Sequence, residues 1–413
     1  MFSPTSIANF LACKHLTGLD RAEAAGQIKK PFFADPGIEL LIKLGLAHEQ
    51  AYLSYLAEDR QLQIACITQD SSWKDAAEQT VTAIRDGAEV IYQATFLSEH
   101  WQGKADFLVR VEKPSARHSW SYEVVETKLA RSTKARAIIQ LSFYSHFLST
   151  IQGVMPDFMH VVLGGGAQPE TFSVHRYLAY FRKVRNEFET AYQASAETYP
   201  EPVEHCKICS WFPVCNDRWR SDDHLSLVAG ISRNQRKRLV ACGIKTMREL
   251  AKLEPDPIDG IGTQALTSIR EQARLQVLGE DESRYIYELF TPPEINRGLC
   301  SLPPPSDGDI FLDFEGDAFA LDQGLEYLFG VLTPASEKDS APVYTSSWAL
   351  NRADEKTAFK DFILTVCQRR REYPDMHIYH YGAYEETAIK RLTGRHAICA
   401  DEVDDLLRAE VFV

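Results

Sequence analysis

Three short groups of residues carry the chemistry available to this chain. They read Gly-Lys-Ala-Asp at 103–106, Tyr-Glu-Val-Val-Glu-Thr-Lys at 122–128 and Gln-Leu-Ser-Phe-Tyr at 140–144. Asp106 and Glu126, on adjacent strands, make a pair suited to a hard divalent cation such as Mg2+ or Mn2+, which prefers charged oxygen ligands. A cation held there polarises a phosphodiester and makes a bound water nucleophilic. The ammonium of Lys128 can orient that water or offset the charge developing on the phosphate. Any one of these residues alone reads as a solvated strand-end carboxylate or a surface lysine. The three groups together, in this order, favour the chemical reading.

The elements that must position them follow from spacing. Asp106 is expected to close a strand candidate over 96–111 that is broken by a turn near Gln102 and Gly103. Glu126 and Lys128 lie two apart on the next strand and so share one face. Residues 127–156 contain no acid, and Leu141, Tyr144, Phe147 and Leu148 recur at helical spacing. Gln140 and Tyr144, four apart, share a face of that helix. Upstream, Ser3-Pro4 is a helix start, with Ile7, Phe10 and Leu11 inward and an end near Cys13. A long amphipathic helix is expected over 37–58, with His48 in Gly-Leu-Ala-His-Glu, and another over 73–86. Strands are expected at 89–97, 157–163 and 171–174, the last two separated by a turn at Gly164, Gly165 and Gly166. A helix from Arg176 to about Tyr199 closes this part, stopped by Pro200 and Pro202.

Cys206, Cys209 and Cys215 follow directly, spaced C-x2-C-x5-C. Three clustered thiolates are a metal-ligand set lacking one partner, and Cys13 is the obvious candidate for the fourth. Zn2+ remains open on spacing alone. A redox pair would need a βαβ context that is missing around Cys206 and Cys209.

Composition bounds the class. The 413 residues are 45% hydrophobic and 25% charged, enough for two or three cored domains. No apolar run of about 18 residues and no signal-peptide pattern occurs, so the expectation is a cytoplasmic protein without membrane contact. A net charge of −13 argues against a general attraction to nucleic acid, so any DNA contact must come from local basic patches. Nine cysteines then suggest metal ligation or core thiols rather than disulfides.

The G-x-x-D, acid-x-Lys and Q-x-x-x-Y groups together resemble the RecB-like PD-(D/E)xK nucleases. The resemblance implies a restriction-endonuclease-like α/β core with flanking helices, Asp106 and Glu126 as cation ligands, and Lys128, Gln140 and Tyr144 as site residues. It also implies a helical histidine before the G-x-x-D as a further metal ligand, the place that His48 occupies, although a lone helical histidine is more often structural. Imidazole favours Mn2+ over Mg2+. One cysteine before the core and three after it are similar to the iron–sulfur members of that group, AddB and its CRISPR-associated relatives. There a [4Fe-4S] cluster staples the two ends of the domain, which implies Cys13, Cys206, Cys209 and Cys215 as its ligands.

Residues 221–280 change character. Leu-Val-Ala-Gly-Ile-Ser at 227–232 and Ile-Asp-Gly-Ile-Gly at 258–262 resemble the hairpins of two helix–hairpin–helix units in a small all-α domain. Such hairpins present free backbone N–H groups to a phosphate. Arg233, Arg236, Lys237, Arg238, Lys245 and Arg248 lie in an acid-free stretch that can position a DNA backbone without reading bases. A helical spacer with a solvated basic face is the alternative.

Residues 281–308 read as a linker, ending in Leu-Pro-Pro-Pro-Ser-Asp-Gly at 302–308. Beyond it, Asp313 and Glu315 share a face of an apolar strand. Strand candidates at 325–332 and 342–349, a helix over 354–371 and His-Ile-Tyr-His-Tyr-Gly-Ala-Tyr-Glu at 377–385 follow. This part, 309–413, resembles the ribonuclease-H-like DEDD exonucleases. The resemblance implies Asp313 and Glu315 as a first acidic pair and Glu385 where the family usually has aspartate. The last strand and last motif of that fold are expected to have no residues, which makes this an incomplete α/β segment, a fragment or a vestige.

With 1–220 as the nuclease domain, the whole reads as a metal-dependent DNA nuclease, expected to be an exonuclease on single-stranded ends in repair or recombination. A helicase, fused or separate, is the implied partner. The competing expectations are a nucleic-acid-binding scaffold with an inactive centre, or a fragment of a nuclease–helicase fusion.

Overall fold

Serine before proline starts the first helix as the sequence predicts. In the computed structural model, α1 (Pro4–Ala12) is capped by Ser3, whose hydroxyl accepts the Ser6 N–H while Ser6 returns a bond to the Ser3 N–H. The structure describes residues 1–413 apart from 33–35, 69, 195–196, 255, 290, 293–294, 322 and 335–340. They form two compact units, Met1–Tyr287 and Glu288–Val413.

In the first unit α1 leads straight into α2 (Lys14–Ala24), an element that the sequence pattern does not announce. Then come α3 (Pro36–Ser54), β1 (Ile64–Cys66), α4 (Trp73–Asp86), β2 (Val90–Leu97), β3 (Gln102–Val111), β4 (Ser121–Lys128), α5 (Ala135–Gln152), β5 (Phe158–Leu163), β6 (Glu170–Ser173) and α6 (Val174–Ala194). The sheet runs in the order β1-β2-β3-β4-β5-β6. β2, β3 and β4 are an antiparallel meander, while β4 and β5 pair in parallel. A parallel pair needs a crossover, and α5 supplies it.

Both faces of this sheet are covered, which is why seven of the eight residues of β4 are buried. On the main face Ile7, Phe10, Ile91, Leu108, Phe143, Phe181 and Phe188 form one core. On the other, Tyr52 and Leu56 pack on Val90, Phe107, Val125 and Val162.

Two expectations are corrected here. The chain turns at Ser98–Trp101, before Gln102, where the Ser98 N–H donates to the Trp101 carbonyl. Phe2 bridges to Trp101 and accepts the Gln102 N–H, so β3 is already paired at Gln102, and Asp106 lies mid-strand instead of at a strand end. α6 starts at Val174 and is described to Ala194, and residues 197–199 lie outside it.

After α7 (Phe212–Ser221) come three further helices, α8 (Arg233–Ala241), α9 (Met247–Ala251) and α10 (Thr263–Glu282). Leu225, Leu239, Met247, Leu250, Leu266 and Ile269 give them a core of their own.

The second unit contains β7 (Ile310–Asp317), β8 (Leu325–Thr333), β9 (Val343–Trp348), α11 (Arg352–Glu372), β10 (Ile378–Tyr379), α12 (Tyr384–His396) and α13 (Ala400–Arg408). Its sheet runs β10-β7-β8-β9, with β10 parallel to β7 and the rest antiparallel. Ile310, Leu312 and Phe314 of β7 pack on Phe359, Ile363, Ile389 and Leu406. Phe412 bridges in parallel to Ile378, and the Val413 N–H donates to the Ile378 carbonyl, so these two residues lie against β10. Among the described residues, no helix is long and apolar enough to cross a membrane.

Candidate active site

The β3–β4 ladder runs from Val111↔Ser121 to Phe107↔Val125 and stops there. Past that point carboxylates take the place of backbone partners. The Thr127 N–H and hydroxyl donate to Asp106 Oδ2 at 2.8 and 2.9 Å, and the Asp106 N–H donates to Glu126 Oε1 at 3.3 Å. Lys128 Nζ lies 2.7 Å from Glu126 Oε2. Glu126 is fully buried. Burial, and then the negative charge of Asp106, push its carboxyl up to about 8 against the pull of Lys128. Burial works to discharge Lys128, but Glu126, Asp106 and Glu49 outweigh it and hold the ammonium above its ordinary range.

Glu49 is an acid that the motif spacing does not reveal. Burial raises its carboxyl, and Asp106 raises it further, while Lys128 acts the other way. The Tyr92 hydroxyl donates to Glu49 Oε1 at 2.7 Å, the Gln93 amide donates to the same oxygen, and Gln50 Nε2 donates to the Tyr92 hydroxyl at 2.8 Å. A signal is present all the same: Glu49 stands three and seven residues before the buried Tyr52 and Leu56, on the helix face that meets the sheet. Its neighbour His48 donates from Nε2 to the Val162 carbonyl at 3.2 Å, which leaves Nδ1 as the ring atom open to a cation.

Gln140 and Tyr144 act on the backbone of β3. The Tyr144 hydroxyl donates to the Lys104 carbonyl at 2.5 Å and is also bonded to Gln140. A Cβ on Gly103 would lie 2.8 Å from Tyr144 Cε1, so the ring fits only because residue 103 is glycine. The G-x-x-D and Q-x-x-x-Y groups are thus packed directly against each other.

Among the described residues, no group of three or more His, Cys, Asp or Glu side chains is placed to hold a metal ion as it stands. The donor types of Asp106, Glu126 and Glu49 do fit a divalent cation. Burial and the charge of Asp106 raise both glutamates, and Glu126 is fully buried, so a positive charge among them would relieve both penalties.

The four thiols named from the sequence are free. Cys13 joins α1 to α2, Cys206 and Cys209 sit in and beside a single tight turn over Glu204–Ile208, and Cys215 lies in α7. Trp211 Nε1 donates to Asp20 Oδ1 at 2.8 Å, tying that loop to α2. Burial pushes the Cys215 thiol up to about 12, with Cys209, Cys13 and Cys206 adding to it, and Cys209 is raised likewise with contributions from Cys206 and Cys13. Cys209 and Cys215 therefore each lie within electrostatic reach of Cys13 and Cys206. A soft metal centre would reverse that shift, so the donor set fits one.

The basic stretch is less free than its composition implies. Arg236 is buried at 8% exposure and pairs with Glu201 at 3.5 Å, so it cannot face a DNA backbone. Arg238 pairs with Asp259, and Arg248 with Glu280 and Asp281. Arg233, Lys237 and Lys245 remain exposed. The turns before α8 and α10 contain Gly230 and Gly260, both at φ 77°.

In the second unit Asp313 and Glu315 are exposed on β7, facing away from the core. Glu385 is buried in the first turn of α12, with Oε2 3.3 Å from His380 Nδ1. Among the described residues, no hydrogen bond or ion pair joins these three acids to one another.

Residues 310–409 match the RNase_H superfamily, so this unit has a nuclease-like, RNase H fold. No curated protein matches the chain.

Proposed function

We propose that the first unit is a cation-dependent phosphodiesterase of the RecB-like PD-(D/E)xK type, acting on DNA. The observation that carries this reading is the opened ladder at Asp106, where Asp106 accepts from Thr127, the Asp106 N–H donates to Glu126, Glu126 pairs with Lys128, and the charges of Asp106 and Lys128 reach Glu49. The β2-β3-β4 meander followed by the α5 crossover to β5 suits that core. An RNase H unit in the same chain supports action on nucleic acid.

Asp106, Glu126 and Glu49 would hold Mg2+ or Mn2+, and His48, next to Glu49 on α3, would offer Nδ1 as a further ligand. A bound cation supplies Lewis acidity toward the phosphate and a more acidic water. Thr127 fixes the rotamer of Asp106 through two bonds to one oxygen, leaving Oδ1 for the ligand. Lys128 stays an ammonium, so its part is to offset charge on the phosphate; it does not serve as the base. Tyr144 and Gln140 hold the backbone of Lys104, two residues before Asp106.

Cys13, Cys206, Cys209 and Cys215 are read as the ligands of a [4Fe-4S] cluster, with Zn2+ as the competing occupant. Arg233, Lys237 and Lys245, with the helix–hairpin–helix turns, are read as a phosphate-binding surface. Action on single-stranded ends during repair or recombination, beside a helicase, is the role that fits these parts. The test is degradation of end-labelled single-stranded DNA with Mg2+ or Mn2+, with chelator and Asp106→Ala as controls. Cation-dependent loss of the substrate that Asp106→Ala removes is the expected result. An intact substrate under every condition would leave a DNA-binding scaffold.

A further inference from the structure

The strand that faces Asp106 breaks its own pattern. In a regular strand residues two apart share a face. Tyr92 packs against the second-face cluster, yet Ala94 lies in the main core. On β3 the same reversal separates Phe107 from Ala105. The ladder pairs Tyr92 with Phe107 and Ala94 with Ala105, and skips Gln93 and Asp106 between them. Gln93 has φ 56°, a left-handed conformation that a residue with a Cβ rarely adopts inside a strand. Its carbonyl leaves the ladder and accepts from the Thr95 hydroxyl at 3.3 Å. Its side-chain amide donates to Glu49 Oε1.

We propose that Gln93 is a positioning residue of the cation site, which turns β2 and β3 over at Asp106 and fixes the Glu49 carboxylate beside it. This rests on the nuclease reading above. The backbone half of the argument is the turnover: with both strands flipped, Asp106 has no ladder partner on β2, and its side chain is delivered to Thr127 on β4. The side-chain half is electrostatic. The charge of Asp106 works against that of Glu49, and the Tyr92 hydroxyl and the Gln93 amide hold the Glu49 carboxylate in place. Tyr92 and Gln93 both donate to Oε1, which leaves Oε2 free for a cation. A glutamine has the reach to do this from a left-handed residue; an asparagine does not.

The test uses the full chain and Mn2+ alone, measured by calorimetry without DNA. Gln93→Gly keeps the left-handed backbone and removes the amide. Gln93→Asn tolerates the backbone and falls short of Glu49. Both are expected to bind Mn2+ about tenfold more weakly, the loss of one hydrogen bond to a charged group, with unfolding temperatures within a few degrees of wild type. DNA cleavage should recover when Mn2+ is raised to saturation. Wild-type Mn2+ affinity in both variants would overturn the inference, and so would a lowered unfolding temperature with affinity unchanged. Asp106→Asn separates the two readings. If it abolishes Mn2+ binding while the Gln93 variants do not weaken it, only the role of Gln93 falls. If Asp106→Asn binds Mn2+ as wild type does, the nuclease reading falls and takes this one with it.

Discussion

The two units present the same kind of acidic strand in opposite states. In the second, Asp313 and Glu315 keep their ladder partners, Gly330 and Leu328, with a register shift only after Glu315, and their carboxylates point into water. In the first, the ladder opens on both sides of Asp106, and backbone N–H groups turn to carboxylates. Each carboxylate in the first unit is therefore fixed by donors, whereas those in the second keep their rotameric freedom. An acid on a strand becomes a preorganised ligand when the strand gives up pairing around it.

The sharpest way to break this contrast is a matched pair of substitutions. Asp106→Ala should lower Mn2+-dependent cleavage about a thousandfold, as expected when a group central to charge stabilisation is removed. Asp313→Ala should leave the rate unchanged. A comparable drop from both would show that the open carboxylates work as well as the held ones.

The cysteines sharpen it next, because Cys13, Cys206, Cys209 and Cys215 all lie in the first unit. A metal centre joining Cys13 to Cys206, Cys209 and Cys215 would close a loop of about two hundred residues in that unit. Cys13→Ala should thus destabilise that unit by roughly 4–5 kcal/mol, with metal–thiolate bonding in addition. Anaerobically purified protein should be brown and contain iron and sulfide, and Cys13→Ala should bleach it. Calorimetry should show the first unit melting earlier and the second unmoved. A colourless protein with one equivalent of zinc would transfer the site to the zinc reading.

A smaller effect tests the burial of Glu126. Its carboxyl is raised in the folded protein, so the folded state binds a proton that the unfolded state releases. Stability of the cation-free protein should then fall as pH rises from the ordinary value of 4.5 to about 8. Glu126→Gln should flatten that decline, while ending cleavage. A pH-stability curve identical to wild type would mean that the carboxyl is already solvated.

The smallest effect belongs to the helical segment. Replacing Arg233, Lys237 and Lys245 together by alanine should reduce the log–log salt slope of single-strand binding by about 0.7 for each phosphate that the variant no longer neutralises. Arg236→Ala should leave the slope alone and lower stability, since Arg236 faces Glu201. The reverse result would put the DNA on the other side of α8.

Local order is readable where it depends on near neighbours. The Ser3-Pro4 cap, the shared face of Glu126 and Lys128 and the α5 register all follow from spacing of a few residues. Glu49 escapes such reasoning because its role depends on Tyr92 and Gln93, more than forty residues away and brought near only by the sheet. Arg236 looks free for a similar reason, as Glu201 lies outside the helix that composition describes. Asp106 reads as a strand end because nothing between 96 and 111 announces that Phe2 will pair with Trp101 and move the turn. The left-handed Gln93 has no local signature at all, since glutamine is not a turn residue.

The fit between Gly103 and Tyr144 has an evolutionary consequence. Any side chain at 103 collides with the ring, and any smaller residue at 144 leaves a void over the glycine. Neither position can drift alone without cost, although a compensated exchange of both is open to selection. Descendants of this chain should therefore change the two sites together or leave both untouched, and the pair would mark the core of the first unit in a lineage even after the surrounding sequence has diverged.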